Sequence, residues 1–197
     1  IVDAREPNQL MREPPSVRLG GPGALRDLDL SDAAFATAGA DPADADVHLA
    51  ALDLYQGFYQ CLARRLGRWF GVEYGFPASA WGVTECFDED LNAFVPVDPD
   101  TTLYFVMEVL CMGFSWALYF CQSLMEDAAS KAVGVPGPAG PAGLPVGGLL
   151  REGHPTPLVA PGRPVFSVYV DNGTIIGFNE QDTELGLERF LDALESL

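Results

Sequence analysis

Apolar positions along this chain fall into short runs whose spacing separates strand from helix. The opening Ile1-Val2-Asp3-Ala4-Arg5 reads as a strand. Two further runs, His48 to Leu52 and Val165 to Val170, end at Asp53 and Asp171 and predict strands that break into turns. Asn172-Gly173, the favoured pair for a two-residue hairpin, predicts a turn leading into a strand over Thr174 to Phe178. Helical spacing predicts a short helix near Ser31 to Thr37 and a longer one from Gly57 to about Phe70. It also predicts a helix from Ser115 to about Asp127, with Leu118, Cys121, Gln122 and Met125 on one stripe. From Thr183 onward, Leu187, Phe190, Leu191 and Leu194 give the stripe of an amphipathic helix. Leu103 to Cys121 is almost continuously apolar, but Glu108, Gly113 and Ser115 interrupt it and its aromatics are spread along it, so it does not read as a membrane span. It reads as a strand from Leu103 to Leu110, a turn at Cys111-Met112-Gly113-Phe114, and the helix that follows.

Strand, helix, strand, helix, hairpin, helix in that order predicts an α+β fold, a mainly antiparallel sheet with helices packed on one face. The Gly- and Pro-rich stretch Gly134 to Gly143 has no sustained collagen repeat and is expected to be disordered, within a flexible insertion over about residues 134–164. Composition changes this picture little: 48% hydrophobic and 20% charged residues describe a folded chain long enough for one domain. The chain opens without Met and stops inside a helical pattern, which suggests part of a longer protein.

Charge changes it more. A net charge of −17 argues against nucleic-acid binding by the chain alone, because a phosphate backbone needs cations; Arg64, Arg65 and Arg68 form the one basic cluster. Cys61, Cys86, Cys111 and Cys121 have no C-x-x-C spacing, and neither His48 nor His154 falls into a zinc pattern with them, so structural zinc is not expected. Reduced thiols in apolar settings fit an intracellular compartment.

The chemistry concentrates at Asp53 and Asp171. A carboxylate ending a buried strand is poorly solvated and seeks a cation or a donor, so two brought together make a divalent metal site. Each motif also has a plainer reading. Taken alone, Val168 to Ile176 reads first as an ordinary hairpin, and Asp53 equally as a helix N-cap. Phe58 and Tyr59 suit a core, Gly113 a helix entry, and Asp3 with Arg5 a cross-strand ion pair.

Taken together and in order, four blocks resemble a reverse transcriptase of the kind carried by retroelements. Ile1-Val2-Asp3-Ala4-Arg5-Glu6-Pro7-Asn8 is similar to the family's fingers-to-palm block, and Leu52-Asp53-Leu54-Tyr55-Gln56-Gly57-Phe58-Tyr59 to its first catalytic motif. Val109-Leu110-Cys111-Met112-Gly113-Phe114-Ser115-Trp116-Ala117 resembles the Leu-Pro-x-Gly block, and Tyr169-Val170-Asp171-Asn172 resembles Tyr-x-Asp-Asp. The resemblance implies a polymerase palm with partial fingers, fingers-like over 1–46 and palm-like over 47–197, with the upstream fingers and downstream thumb absent and the fragment by itself inactive. It implies an RNA-directed DNA polymerase in which Asp53, Asp171 and the Leu54 carbonyl hold two Mg²⁺ or Mn²⁺ ions, acting on deoxynucleotides and an RNA or DNA template-primer. Phe58 would be the steric gate against a 2′-hydroxyl, Met112 and Gly113 would meet the nucleotide, Asp3 and Arg5 the template, and Tyr169 the primer end. Two positions depart from the pattern. Asn172 replaces the second Asp, which removes a charge near the metals and allows a catalytically degenerate remnant; Cys111-Met112 replaces Pro and Gln, leaving packing in place of amide hydrogen bonds. An acidic, non-catalytic interaction domain is the reading outside the family.

Overall fold

A computed structural model describes residues 3–88, 90–134 and 145–197. In chain order it contains helices α1 (Arg5–Leu10), α2 (Pro22–Arg26) and α3 (Asp32–Thr37), strand β1 (His48–Asp53), the single turn α4 (Gly57–Gln60), and short strands β2 (Phe76–Pro77), β3 (Glu85–Asp88), β4 (Ala93–Pro96) and β5 (Thr102–Leu103). Helix α5 (Ala117–Val133), strands β6 (Gly148–Leu150), β7 (Val165–Tyr169) and β8 (Asn172–Gly177), and helix α6 (Glu180–Glu195) follow. The chain divides into two compact units, with bounds other than a break after residue 46. The first holds Ile1–Arg12 and Tyr59–Phe114, the second Glu13–Phe58 and Ser115–Leu197.

The second unit is built on a four-stranded sheet of order β1-β8-β7-β6. The β1–β8 and β7–β8 pairs are antiparallel and β6–β7 is parallel, so the fold is mixed α/β with antiparallel pairing prevailing in this sheet. Its faces separate by strand alternation. Phe166, Val168 and Ile175 pack with Met125, Ala128, Ala129 and Ala132 of α5 and with Phe190 and Ala193 of α6. Val165 and Ile176 point the other way, against Ala24 of α2, Phe35 of α3, Leu150 and Val159. The expectation of helices on one face is therefore corrected: both faces are covered, which is why Val165-Phe166-Ser167-Val168 is buried without interruption. Part of the expected insertion is ordered too, since β6 lies within it and Leu150 and Val159 are fully buried. Residues 135–144, on which the expectation of disorder falls, lie outside the described residues.

Helix α5 runs past Asp127 because Ala128, Ala129 and Ala132 continue the buried stripe begun by Cys121, Gln122 and Met125. It stops at Gly134, whose φ of 72° suits glycine. Helix α6 starts earlier than Thr183 because the Asn179 side chain caps it, accepting the Asp182 N–H. Its buried stripe is Thr183, Gly186, Phe190 and Ala193, leaving Leu191 44% exposed. The stripe is rotated because Gly186 faces the sheet: a Cβ there would sit 2.9 Å from Ile175 Cγ2.

The first unit pairs β2 with β5 and β3 with β4, both antiparallel. The expected strand Leu103 to Leu110 shrinks to β5 and single bridges, Gly71 with Val106 and Leu62 with Val109. Those bridges also explain why no continuous helix spans Gly57 to Phe70. The Ala63 N–H donates to the Glu108 carbonyl at 2.6 Å, leaving one turn at α4 and a separate 3₁₀ segment over Arg64–Trp69. The described part of the expected opening strand, Asp3 to Arg5, forms no strand either. Ile1 and Val2 lie outside the described residues, and the Asp3 carboxylate accepts the Arg5 backbone N–H at 3.1 Å, a local bond that starts α1 in place of a ladder. Among the described residues, no helix is long and apolar enough to cross a membrane.

Candidate functional site

In the second unit, β1 ends where β7 turns into β8. The register sets Asp53 opposite Asn172, and Tyr169 also opposite Asn172, so Val170 and Asp171 are the two central residues of the hairpin. The turn thus falls two residues before the expected Asn172-Gly173. The reason is packing. Gly173 lies in the β8 ladder, where a Cβ would come 2.5 Å from Phe190 Cε1 and 3.2 Å from Leu52 Cγ, so glycine here admits a core aromatic.

Val170 adopts the left-handed region, φ 59°, and Asp171 does not. That pattern matches a type II′ turn, whose first central position normally holds glycine. A β-branched residue there costs about 1–2 kcal/mol. Strain of this kind persists only where the surroundings impose it.

The turn places Asp171 beside the end of β1. The Leu54 N–H donates to the Asp171 carbonyl at 2.9 Å, extending the ladder one step past Asp53. The Asn172 Nδ2 donates to Asp171 Oδ1 at 3.0 Å. Residues directly opposed on antiparallel strands have Cβ atoms about 5 Å apart. Asp53 and Asn172 are thus cross-strand neighbours, and the Asn172 amide in turn touches Asp171, so both aspartates lie at this end of the sheet. Gly57 closes it from the side: a Cβ there would lie 2.7 Å from Asp171 Cβ, and its N–H donates to the Leu54 carbonyl at 2.9 Å.

The desolvation expected of a carboxylate ending a buried strand is not what these residues experience. β1 is an edge strand with alternating burial, Asp53 is exposed and Asp171 is half-buried. What the two aspartates share is backbone position, since the register and the turn bring both to one end of the sheet. The oxygens found there, from two carboxylates, the Asn172 amide and the Leu54 carbonyl, are hard donors of the kind suited to Mg²⁺ or Mn²⁺, which accept one or two protein carboxylates plus substrate phosphates. Among the described residues, no group of three or more His, Cys, Asp or Glu side chains is arranged to hold a metal.

Phe58 follows Gly57 in α4 and is half-buried. Tyr169 is half-exposed at the end of β7, its ring within 3.6 Å of where a Gly21 Cβ would stand. The other expected site residues belong to the first unit. Gly113 has φ 96°, and the Phe114 N–H closes the Cys111–Phe114 turn on the Cys111 carbonyl at 3.1 Å, as that sequence predicts. Met112 at the turn's corner is exposed. The Asn8 side-chain amide donates to the Gly113 carbonyl at 2.8 Å, tying α1 to the turn. Asp3 and Arg5 form an exposed bidentate pair, local along the chain and not across strands. Hydrogen bonds from Arg5 hold the Asp3 carboxyl down at about 2. Burial pushes the Cys111 thiol up.

The sequence does not disclose the roles of three residues. Gly57 had no signal beyond being a glycine after a strand, and Val170 had none, since nothing in a valine announces a positive φ. Gln122 did have one: a polar residue on an otherwise apolar helical stripe must find buried partners.

Comparison with protein-family models, with curated proteins and with solved structures finds no match in any of the three.

Proposed function

We propose that the second unit is the palm-like part of a reverse-transcriptase-type nucleotidyltransferase. The observation that supports this reading is that the backbone positions of Asp53 and Asp171, remote in sequence, come to one end of a sheet through the Asp53–Asn172 register and the Leu54–Asp171 hydrogen bond. In such an enzyme the primer 3′-oxygen bonds to the α-phosphorus of a deoxynucleotide as the bond to pyrophosphate breaks. Mg²⁺ or Mn²⁺ ions, when bound, supply charge that stabilises both oxygens. Asp53, Asp171 and the Leu54 carbonyl are the residues that would hold them. The Asn172 amide fixes one oxygen of Asp171, leaving the other for coordination. Phe58 would exclude a 2′-hydroxyl by shape, Tyr169 would contact the primer end, and Met112, Gly113, Asp3 and Arg5 would serve nucleotide and template.

A second reading is a remnant that keeps the fold without turnover. The hydrogen bond from Asn172 to Asp171 Oδ1 favours it, because an amide donor occupies an oxygen next to which the family carries another carboxylate. Primer extension on an RNA template with deoxynucleotides and Mg²⁺ or Mn²⁺, performed with the full natural polypeptide, separates the two. Extension that falls about a hundredfold or more in Asp171→Ala supports catalysis. Extension equal in the two proteins overturns the assignment of Asp171, and none in either favours the remnant.

A further inference from the structure

Helix α5 reaches the hairpin turn through two adjacent side chains, Cys121 and Gln122. Gln122, 1% exposed, accepts the Val170 N–H on Oε1 at 2.7 Å, while its Nε2 donates to the Val168 carbonyl at 3.2 Å and to Glu126 Oε1 at 2.9 Å. The amide can be oriented only this way. The Val170 N–H is an obligatory donor and must face the oxygen, whereas the Val168 carbonyl and Glu126 carboxylate accept and must face the nitrogen. The Val170 carbonyl in turn accepts from the Cys121 thiol at 3.5 Å. The strained peptide before Asp171 is thus gripped on both sides, by neighbouring residues of α5.

Glu126 is itself fixed. Its Oε2 accepts from Arg151 Nη2 at 2.6 Å, from the residue just after β6. Gln122, Glu126 and Arg151 line one open cavity of about 340 Å³, so shortening or neutralising either partner of the ion pair neither crowds nor empties the apolar core. Charge-assisted hydrogen bonds are roughly twice as strong as neutral ones, so the carboxylate locks the Gln122 rotamer more firmly than a neutral acceptor would.

We infer that the Glu126–Arg151 ion pair is a positioning device for Asp171, acting through the Gln122 amide on the left-handed Val170 peptide. Its conformational half stands on the hydrogen bonds alone; its functional half rests on the reading of Asp171 as a metal-binding residue. Glu126 and Arg151 are positioning residues in this scheme and touch no reacting atom.

The test uses the full chain in two measurements, hydrogen exchange of the Val170 and Ile175 amides and Mn²⁺ affinity by electron paramagnetic resonance. In Arg151→Met and Glu126→Ala, the Val170 amide is expected to exchange about tenfold faster, the scale set by one charge-assisted hydrogen bond, while Ile175 in the middle of β8 is unchanged. Mn²⁺ binding weakens about threefold or more in both, and Arg151→Lys, which keeps the charge, restores most of each effect. Val170 exchange unchanged in both Arg151→Met and Glu126→Ala overturns the inference, as does acceleration at Val170 and Ile175 alike, which marks a general loss of stability. If the unsubstituted chain binds no Mn²⁺, the metal reading of Asp171 fails, and the exchange rates still decide whether the pair positions the turn.

Discussion

Replacing Gly173 with alanine distinguishes a glycine kept for packing from one kept for a turn. A Cβ at this position would lie 2.5 Å from Phe190 Cε1 and 3.2 Å from Leu52 Cγ, where carbon atoms prefer about 3.5–4.0 Å. The overlap with Phe190 approaches 1 Å, and the ring cannot swing clear: Phe190 is fully buried and packs edge-on against Phe166 at 6.0 Å between centroids. Overpacking of this kind costs about 1–3 kcal/mol, offset by about 0.4–1 kcal/mol from the stiffer unfolded chain, so Gly173→Ala should destabilise the second unit by about 1–2 kcal/mol. Turn strain would give a similar figure, since an alanine forced to positive φ costs about 1–2 kcal/mol. The second site decides. Phe190→Leu opens space where the new methyl must go, so the double variant should lose at least about 1 kcal/mol less than the sum of the single losses. Urea-dependent hydrogen exchange of the Ile175 and Ile176 amides reports the stability of this unit directly. Additivity within about 0.5 kcal/mol would refute the packing argument and return Gly173 to the turn.

Other expectations concern charge, caps and thiols. Asn172→Asp removes the donor to Asp171 Oδ1 and adds a carboxylate, so calorimetry should show Mn²⁺ binding about tenfold tighter; unchanged or weaker binding counts against a cation site there. The Asp3 carboxyl should titrate near 2 by NMR and move up toward its ordinary 3.8 in Arg5→Ala, stopping short of it because the backbone N–H of residue 5 still donates. Because the folded value is depressed, whatever stability the pair gives is present above about pH 4 and disappears as pH falls through 2, and a titration unmoved by Arg5→Ala would contradict the assigned cause. Asn179→Ala should cost about 1 kcal/mol in thermal or urea unfolding by removing the α6 cap, and no loss would mean the cap is not formed in solution. Exposed Cys86 should react first with a thiol reagent and buried Cys111 late, with the reverse order arguing against the burial described.

Strands β1 and β7 and helices α3, α5 and α6 were legible because each carries a local signal, an apolar run or a stripe with a cap, that tertiary packing reinforces. Ser31 marked the start of α3, and its side chain does accept the Ala34 N–H at 3.3 Å. What was not legible depends on partners distant in sequence. Asn172-Gly173 has the composition of a turn, yet the register is set by Phe190 and Leu52 against Gly173, and the actual turn passes through a valine that no turn preference favours. Strand β6 is three residues long and pairs in parallel with β7, so no hairpin signal points to it, and its Gly-rich surroundings resemble a loop. The second cover of the sheet comes from short helices α2 and α3, whose few apolar residues carry little periodicity. At the site, Asp53 and Asp171 stood out as carboxylates at the ends of apolar runs. The exposure of Asp53 did not, because an edge position in the sheet cannot be read from β1 alone.

Mn²⁺ titration of the ¹⁵N-labelled chain, followed by paramagnetic broadening of its amide resonances, measures most directly whether Asp53 and Asp171 share a cation. With such a site, the amides of Asp53, Leu54, Asp171 and Asn172 broaden together at the lowest Mn²⁺ ratio, and excess Mg²⁺ reverses the effect. First broadening in the acidic stretch between residues 27 and 46, or scattered broadening with these four amides untouched, would contradict a cation site at the junction of β1 and the β7–β8 turn.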